Sequence, residues 1–264
     1  MAATPFNCVP SYSLLIVMKR QVVLTVAESK RLIAKGVAAI PEVQKAMKDG
    51  MVVVATGTTN AYVLEELMGK KIDKRRYRSG MTTPDAPEKQ ATPQEEAIPD
   101  VVFRRGKAAK ELDRFTAIEQ MKRGDVYIKG ANALDYVNQV AGVLIGDPKG
   151  GTVGAALGGI IGKQINLVIP VGLEKLVYED INELHLLAME EDYEGPRMWP
   201  ITGIIVTEIE ALEVLTGVYA TLYAAGGVAG AEGGVRLMIE GADEDVEAAL
   251  ELVKSVKGEP RYLL

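Results

Sequence analysis

Hydrophobic positions alternate between helical and strand spacing along the chain. Apolar residues recur at helical spacing over residues 25–48, where Thr25 is a predicted N-cap, Glu28 follows three residues later and Gly50 is the predicted stop. Residues 51–55 then form a continuous run of apolar and mostly β-branched side chains. Such a run is typical of a parallel strand that is buried on both faces. The pattern therefore predicts a helix followed by an interior strand.

The rest of the chain continues this alternation. Strands are predicted at 101–103, 125–128, 140–145, 165–171, 201–209 and 235–240, and helices at 61–68, 108–122, 152–162, from 211 onward and at 243–256. This order indicates an α/β fold, with a Rossmann-like parallel sheet flanked by helices and a small C-terminal α+β layer. Gly195-Pro196 is the predicted boundary, which gives an N-terminal arm (1–24), a main domain (25–195) and a small domain (196–264).

Two segments fall outside this pattern. Residues 82–100 are rich in Pro, Glu and Gln, which predicts a surface loop or a mobile flap. Residues 11–18 are apolar but short, with no cationic segment before them, so neither a signal peptide nor a membrane span is expected there. Met18 is a plausible alternative start, and whether residues 1–17 belong to the native protein stays open. The expected location is the cytoplasm.

The amino-acid composition excludes several kinds of partner and catalytic site. Hydrophobic residues make up 48% of the chain and aromatic residues 5%, so the core is expected to be aliphatic. The net charge of −6 argues against a nucleic-acid partner, because phosphate-backbone binding needs a basic surface. Cys8 and His185 are the only residues of their kinds, which excludes an internal disulfide and most cysteine- or histidine-based metal and triad chemistry. Catalysis would have to use carboxylates, Lys, Tyr or backbone amides, and neither a metal site nor a cofactor is indicated.

Three turns that follow predicted strands, at 56–60, 129–135 and 146–154, combine Gly with Thr, Asn or Lys. The carboxyl ends of parallel strands meet at one edge of a sheet, and free helix amides there favour an anion. The predicted ligand-binding residues are Thr56, Gly57, Thr58, Thr59, Asn60, Lys129, Gly130, Asn132, Gly150, Gly151 and Thr152.

The turns at 56–60 and 146–154 also have a purely structural interpretation. The Thr and Asn residues at 56–60 could cap a helix without any ligand. Gly150, Gly154, Gly158 and Gly162 recur every four residues, which would let a helix lie close to a sheet or to a partner. The loop lacks the Lys-Ser/Thr ending of a nucleotide P-loop, so a Walker site is not expected. His185 lies in an acidic helical segment and is interpreted as a packed or surface residue.

The order of the turns carries a family resemblance. Residues 55–59 (Ala-Thr-Gly-Thr-Thr) resemble a Gly-x-Gly-Ser-Thr sugar-phosphate turn, and residues 129–135 resemble an Asp-Gly-Ala-Asp-Glu-Ile-Asp segment. Residues 149–157 resemble a Lys-Gly-Gly-Gly-Gly-Ala-Leu turn, and the strand at 165–171 with Glu-Lys-Leu-Val at 174–177 is similar to the elements that close that domain. These segments occur in the order found in the superfamily of ribose-5-phosphate isomerase type A, glucosamine-6-phosphate deaminase and CoA transferases.

The resemblance implies the family's fold, but several of the family's catalytic residues are replaced in this chain. The isomerase's two acidic positions fall on Lys129 and Asn132, and its catalytic Glu falls on Gly158. Lys149 and Asp135 keep the family's residue type, which makes them the candidate catalytic residues. Because an aldose–ketose isomerase needs a carboxylate base, isomerase activity is not expected. No Glu stands clearly where a CoA transferase keeps its nucleophile.

Three functions stay open from the sequence. The first is a protein that binds a small anionic metabolite (a sugar phosphate, a carboxylate, or a CoA or folate derivative) without isomerase activity. The second is an enzyme on such a metabolite, with Asp135 as acid/base. The third is a structural subunit that forms oligomers. The Gly-rich faces and the family architecture both lead us to expect a homo-oligomer.

Overall fold

The computed structural model describes residues 17–78, 82 and 97–262, so most of the predicted 82–100 loop and nearly all of residues 1–17 lie outside it. Its strands are β1 (Met18–Leu24), β2 (Met51–Val54), β3 (Val101–Arg104), β4 (Lys107–Ala108), β5 (Val126–Ile128), β6 (Ala133–Asp135), β7 (Val140–Ile145), β8 (Asn166–Pro170), β9 (Arg197–Ile201), β10 (Ile204–Val206), β11 (Tyr219–Ala225) and β12 (Val235–Gly241). Its α-helices are α1 (Val26–Ala39), α2 (Pro41–Asp49), α3 (Thr58–Met68), α4 (Arg114–Gln120), α5 (Gly151–Gly162), α6 (Ile181–Leu187), α7 (Glu208–Thr216) and α8 (Asp243–Val256).

A six-stranded mixed sheet forms the centre, in the order β10-β8-β5-β2-β3-β4. The first four strands are parallel, and β3 and β4 are antiparallel to their neighbours. All four residues of β2 are buried, as its continuous apolar run predicts. Together with the eight helices of the described residues, this sheet confirms the α/β prediction.

Two smaller antiparallel sheets complete the strands, β6-β7-β9 and β1-β12-β11. Residues 18–24 pair along their whole length with β12. The strands that follow Gly195-Pro196 pair with strands that precede it: β9 pairs with β7, and β10 pairs with β8.

No helix of the described residues is both long and apolar enough to cross a membrane.

Helix α1 begins as predicted and ends earlier than predicted. The Thr25 Oγ1 accepts from Glu28 N at 3.4 Å, and the Glu28 carboxylate accepts from Thr25 N at 2.9 Å, which completes the capping box. The single helix predicted over 25–48 is wrong. Pro41 lacks an N–H and disfavours the helical conformation of Ile40, so the chain ends α1 there and starts α2 at the proline.

Two other boundaries also differ from the prediction. The helix predicted over 108–122 is limited to α4, whose start is set by the Asp113 side chain accepting from the N–H groups of Phe115 and Thr116. The single strand predicted over 201–209 is wrong, because this range holds the last residue of β9, all of β10 and the first two residues of α7. Thr207 then caps α7, because its side chain accepts from Ile209 N.

The α1–α7 contact places two parts of the site side by side. A Cβ at Gly36 would lie 2.5 Å from the Cβ of Ala211, so only glycine allows the two helices to approach this closely. The close packing fixes the first turn of α7, which follows β10, against the C-terminal half of α1.

Candidate functional site at the carboxyl edge of the parallel strands

The four parallel strands β2, β5, β8 and β10 end at the same edge of the central sheet. Backbone hydrogen bonds join these ends: Ala55 N to Ile128 O at 3.0 Å, Lys129 N to Val168 O at 3.0 Å, and Val171 N to Val206 O at 3.1 Å. We name the segments that follow them (55–60, 129–131, 171–175 and 207–208) the carboxyl edge. It is the position where ligands bind in open α/β sheets.

The turn after β2 presents the start of α3. Thr56 N donates to Asp100 Oδ1 at 2.7 Å, and Gly57 N donates to Tyr77 O at 3.2 Å. Helix α3 then begins at Thr58 without a side-chain cap. Among the described residues no group accepts from the N–H of Thr58, Thr59 or Asn60. These amides and the helix dipole favour a negative charge at this point.

Two side chains of the same turn carry buried atoms without partners. Asn60 is fully buried, and its Nδ2 donates to Ala55 O at 2.7 Å and to Ile128 O at 3.3 Å. That orientation leaves Asn60 Oδ1 without a donor in the described part of the chain, and the buried Thr59 Oγ1 has no hydrogen-bond partner there either. Native proteins rarely leave buried polar atoms unpaired, so both atoms are available to a ligand.

Lys129 is a half-buried lysine that directly follows β5. Its Nζ donates to Gly130 O at 3.0 Å, and no described carboxylate forms an ion pair with it. Burial and then the charge of Lys175 lower the pKa of Lys129, the charge of Asp100 opposes them, and the net result is a pKa of about 8. A half-buried cation without an anionic partner is costly, and a bound anion would relieve that cost.

Two more lysines lie at the carboxyl edge. Lys175 Nζ donates to Ala131 O at 2.6 Å, and Lys30 extends from α1 with only 9% of its surface exposed. Burial lowers the pKa of both side chains, and the charge of Glu174 opposes this in each case. Neither lysine makes an ion pair within the described part of the chain.

A pair of carboxyl groups completes the cluster. Glu208 is fully buried at the start of α7; its Oε2 accepts from Leu173 N at 3.0 Å, and its Oε1 has no partner among the residues that the structure describes. Burial, and then the charge of Glu174, raises the pKa of Glu208 to about 7. The Glu174 side chain folds over Gly172, where a Cβ would lie 1.7 Å from its Oε2, and this buried Oε2 also lacks a partner.

The structure brings only part of the predicted site to this edge. The turn at 56–60 lies there with Lys129 and Gly130. Asn132 instead uses its Oδ1 to accept from Leu144 N at 3.1 Å. Both carboxylate oxygens of Asp135 accept from Asn138, from the backbone N at 3.0 Å and from Nδ2 at 2.7 Å, so this side chain holds a turn.

The α5 turn is linked to the edge through side chains. Gly150 and Gly151 adopt positive φ angles of 81° and 55°, which glycine tolerates best, and the Lys149 side chain is exposed. Thr152 Oγ1 accepts from Arg114 Nη1 at 3.4 Å. The same Nη1 donates to Asp100 Oδ2 at 3.0 Å, so Arg114 and Asp100 connect the start of α5 to the turn after β2. Thr152 and Lys129 also line one small apolar cavity.

Sequence reasoning missed the turns after β8 and β10. Glu174 and Lys175 follow a strongly predicted strand, so the strand-end rule could have selected them. Glu208 was not recognised as a strand-end residue, because its position fell inside the strand predicted over 201–209. Lys30 gave no local signal, because it reaches the edge only through the packing of α1.

A larger cavity of about 960 Å³ lies away from these groups, between the 146–150 loop, α6 and β9. His185 lines it, and its Nδ1 lies 2.6 Å from Met198 O, which assigns the proton to Nδ1. Trp199 and Arg197 form another part of the lining. Gly150 is the predicted site residue that reaches this cavity, so two separate concave regions flank the α5 turn.

Searches against protein-family models, curated proteins and solved structures found no significant match to this chain. Among the described residues no group of three or more His, Cys, Asp or Glu side chains is arranged to hold a metal ion. The chemistry of the site is therefore derived from its own residues.

Proposed function

We propose that the chain binds a small anionic metabolite at the carboxyl edge: a sugar phosphate, a carboxylate, or a CoA or folate derivative. The observation that carries this proposal is the set of three lysines, Lys30, Lys129 and Lys175, that no described carboxylate pairs. The unpaired amides at the start of α3 face the same edge. An anion there would receive both charge and hydrogen bonds.

The contrast with Arg31 argues against a purely structural role for these lysines. Arg31 is 5% exposed in its side chain and forms ion pairs with Glu65, with Glu66 at 2.8 Å and with Glu259 at 2.9 Å. The chain therefore surrounds its structural buried cation with carboxylates. The three edge lysines donate only to backbone carbonyls or to no described group, which is the arrangement expected of an anion site.

The Rossmann-like interpretation and the superfamily resemblance belong to the same proposal. They are supported by the four parallel strands, by the turns at their carboxyl ends and by an antiparallel layer, β1-β12-β11, beside α8. Absence of isomerase activity is supported by Lys129 and Asn132, which occupy the family's acidic positions. Self-association of a cytoplasmic protein is supported by the open surface at Gly158 and Gly162 of α5 and by Ile161 between them, which is 69% exposed.

An enzyme remains the second candidate, and one observation favours it. Asp135 is a poor acid/base because both its oxygens hold Asn138. Glu208 is a better candidate because it has a free buried oxygen and a pKa near neutrality.

A thermal-shift screen tests the proposal. Sulfate, sugar phosphates, CoA esters and folates are added to the wild-type protein, to Lys129→Met and to the matched control Lys45→Met, whose side chain is exposed on α2. A ligand at a hundred times its Kd stabilises the folded state by about 2.7 kcal/mol, which a melting curve resolves. We expect at least one anion to raise the Tm of the wild type and of Lys45→Met but not of Lys129→Met. A panel with no effect, or equal effects in both variants, would contradict the proposal.

A further inference from the structure

The carboxyl pair at the edge interacts with Lys175 and Lys30, and Lys129 in turn lies close enough to Lys175 to feel its charge. Glu208 Oε1 is completely buried, and Glu174 Oε2 is buried above Gly172; among the described residues neither atom has a hydrogen-bond partner. The Oε2 of Glu208 is already held by Leu173 N. A proton on Oε1 would make this group a neutral acid without disturbing that bond.

The charges that act on Glu208 come from two neighbouring elements. The segment after β8 contributes Glu174, which raises the pKa of Glu208, and Lys175, which interacts favourably with the carboxylate. Helix α1 contributes the Ser29 hydroxyl, which favours the ionised form without meeting hydrogen-bond geometry, and Lys30, which acts on Glu174. Burial is the strongest influence, and it favours the neutral acid.

Charge balance then limits the ligand. Counted at their formal charges, the three lysines and Glu174 sum to two positive charges when Glu208 is protonated. They sum to one positive charge when Glu208 is ionised. A doubly charged anion therefore neutralises the site only when Glu208 holds a proton.

We propose that the carboxyl edge selects a doubly charged anion, such as a phosphomonoester or a dicarboxylate, and that Glu208 takes up a proton when this anion binds. The inference rests on the proposed anion site. It defines the charge class of the metabolite and leaves a protonated carboxyl group in the loaded site. The nearby Asp100 does not alter the balance, because Arg114 pairs with it at 3.0 Å.

Two ligands of similar shape but different charge test whether the site selects a dianion. Sulfate is a dianion that does not titrate near neutral pH, and methyl sulfate has nearly the same head group with one charge. We expect the wild-type protein to bind sulfate at least about tenfold more tightly than methyl sulfate at pH 7, since a full charge is lost in a partly buried site. Equal affinities would overturn the selection of a dianion.

Isothermal titration of sulfate at pH 7, in two buffers with different ionisation enthalpies, measures the proton uptake. About half a proton per sulfate is expected, because a group with a pKa of about 7 is half ionised before binding. Glu208→Gln should reduce this uptake by about half a proton while it still binds sulfate. Lys129, with a pKa of about 8, is already mostly protonated at this pH and contributes little.

The outcomes keep the two proposals apart. If the wild-type protein does not bind sulfate or any other anion, the anion site itself is refuted. If sulfate binds with the same proton uptake in Glu208→Gln, the anion site stands and the role of Glu208 is overturned. Should Glu208→Gln fail to fold by circular dichroism, Glu174→Gln provides the same test, because removing the Glu174 charge lowers the pKa of Glu208 and should also reduce the uptake at pH 7.

Discussion

Replacing Glu208 with Gln should change how the stability of the protein depends on pH. Burial and Glu174 raise the pKa of Glu208 from the ordinary 4.5 to about 7. Between these values the folded protein keeps a proton that the unfolded chain releases. The contribution of Glu208 is therefore present in full below pH 4.5 and is lost as the pH rises toward 7.

The size of the effect follows from the same shift. A difference of about 2.5 pKa units corresponds to about 3 kcal/mol of unfolding free energy at 1.36 kcal/mol per unit. Glutamine resembles the protonated acid and does not titrate. We therefore expect the stability of Glu208→Gln, relative to wild type, to rise by about 3 kcal/mol between pH 4.5 and pH 8.

Urea unfolding at the two pH values measures this difference. The fluorescence of Trp199, the only tryptophan, reports tertiary structure, and circular dichroism reports the helices. The control is Glu213→Gln, an exposed position on the same helix, which should follow wild type at both pH values. A stability difference between Glu208→Gln and wild type that is the same at pH 4.5 and pH 8 would refute the assignment of a raised pKa to Glu208.

Two further pairs of variants test the packing around the site, each by urea unfolding at pH 7. Arg31→Met should destabilise the protein by about 3–5 kcal/mol, because it removes the buried cation that three carboxylates share, whereas Lys71→Met, whose side chain is 71% exposed, should stay within about 1 kcal/mol of wild type. Similar losses in the two would contradict a structural Arg31 network. Gly36→Ala should cost about 1–3 kcal/mol through its clash with Ala211, whereas Gly158→Ala faces open space and should gain about 0.5–1 kcal/mol of helix propensity. A neutral Gly36→Ala would show that α1 and α7 can separate without cost.

The elements with a strong local pattern were predictable from the sequence. The interior strand predicted at 51–55 is β2, and the helix predicted at 243–256 is α8 with the same bounds. In both elements, one hydrophobic pattern continues without interruption from the residue that starts the element to the residue that ends it. The strand β11 was not predicted, because its sequence mixes small and exposed aromatic residues and pairs on one side only, with β12.

The site was half predictable for a related reason. The strand-end rule found the turn at 56–60 and Lys129, since each follows a clear strand and carries polar residues that suggest an anion. Lys30 and Glu208 lie on helices α1 and α7, which pack closely although they are far apart in sequence. Local pattern cannot indicate such a pairing, and the proposed role of Glu208 depends on it.

A crystal structure of the protein soaked in selenate tests the anion site most directly. Selenate is a dianion, and the anomalous signal of its selenium locates it without ambiguity. We expect a peak within hydrogen-bonding distance of the Thr58 and Thr59 N–H groups and of Lys129 Nζ, and we expect that peak to be absent from Lys129→Met crystals soaked in the same way. An empty carboxyl edge in the wild-type crystal, with selenate bound only in the cavity lined by His185 or nowhere, would contradict the account.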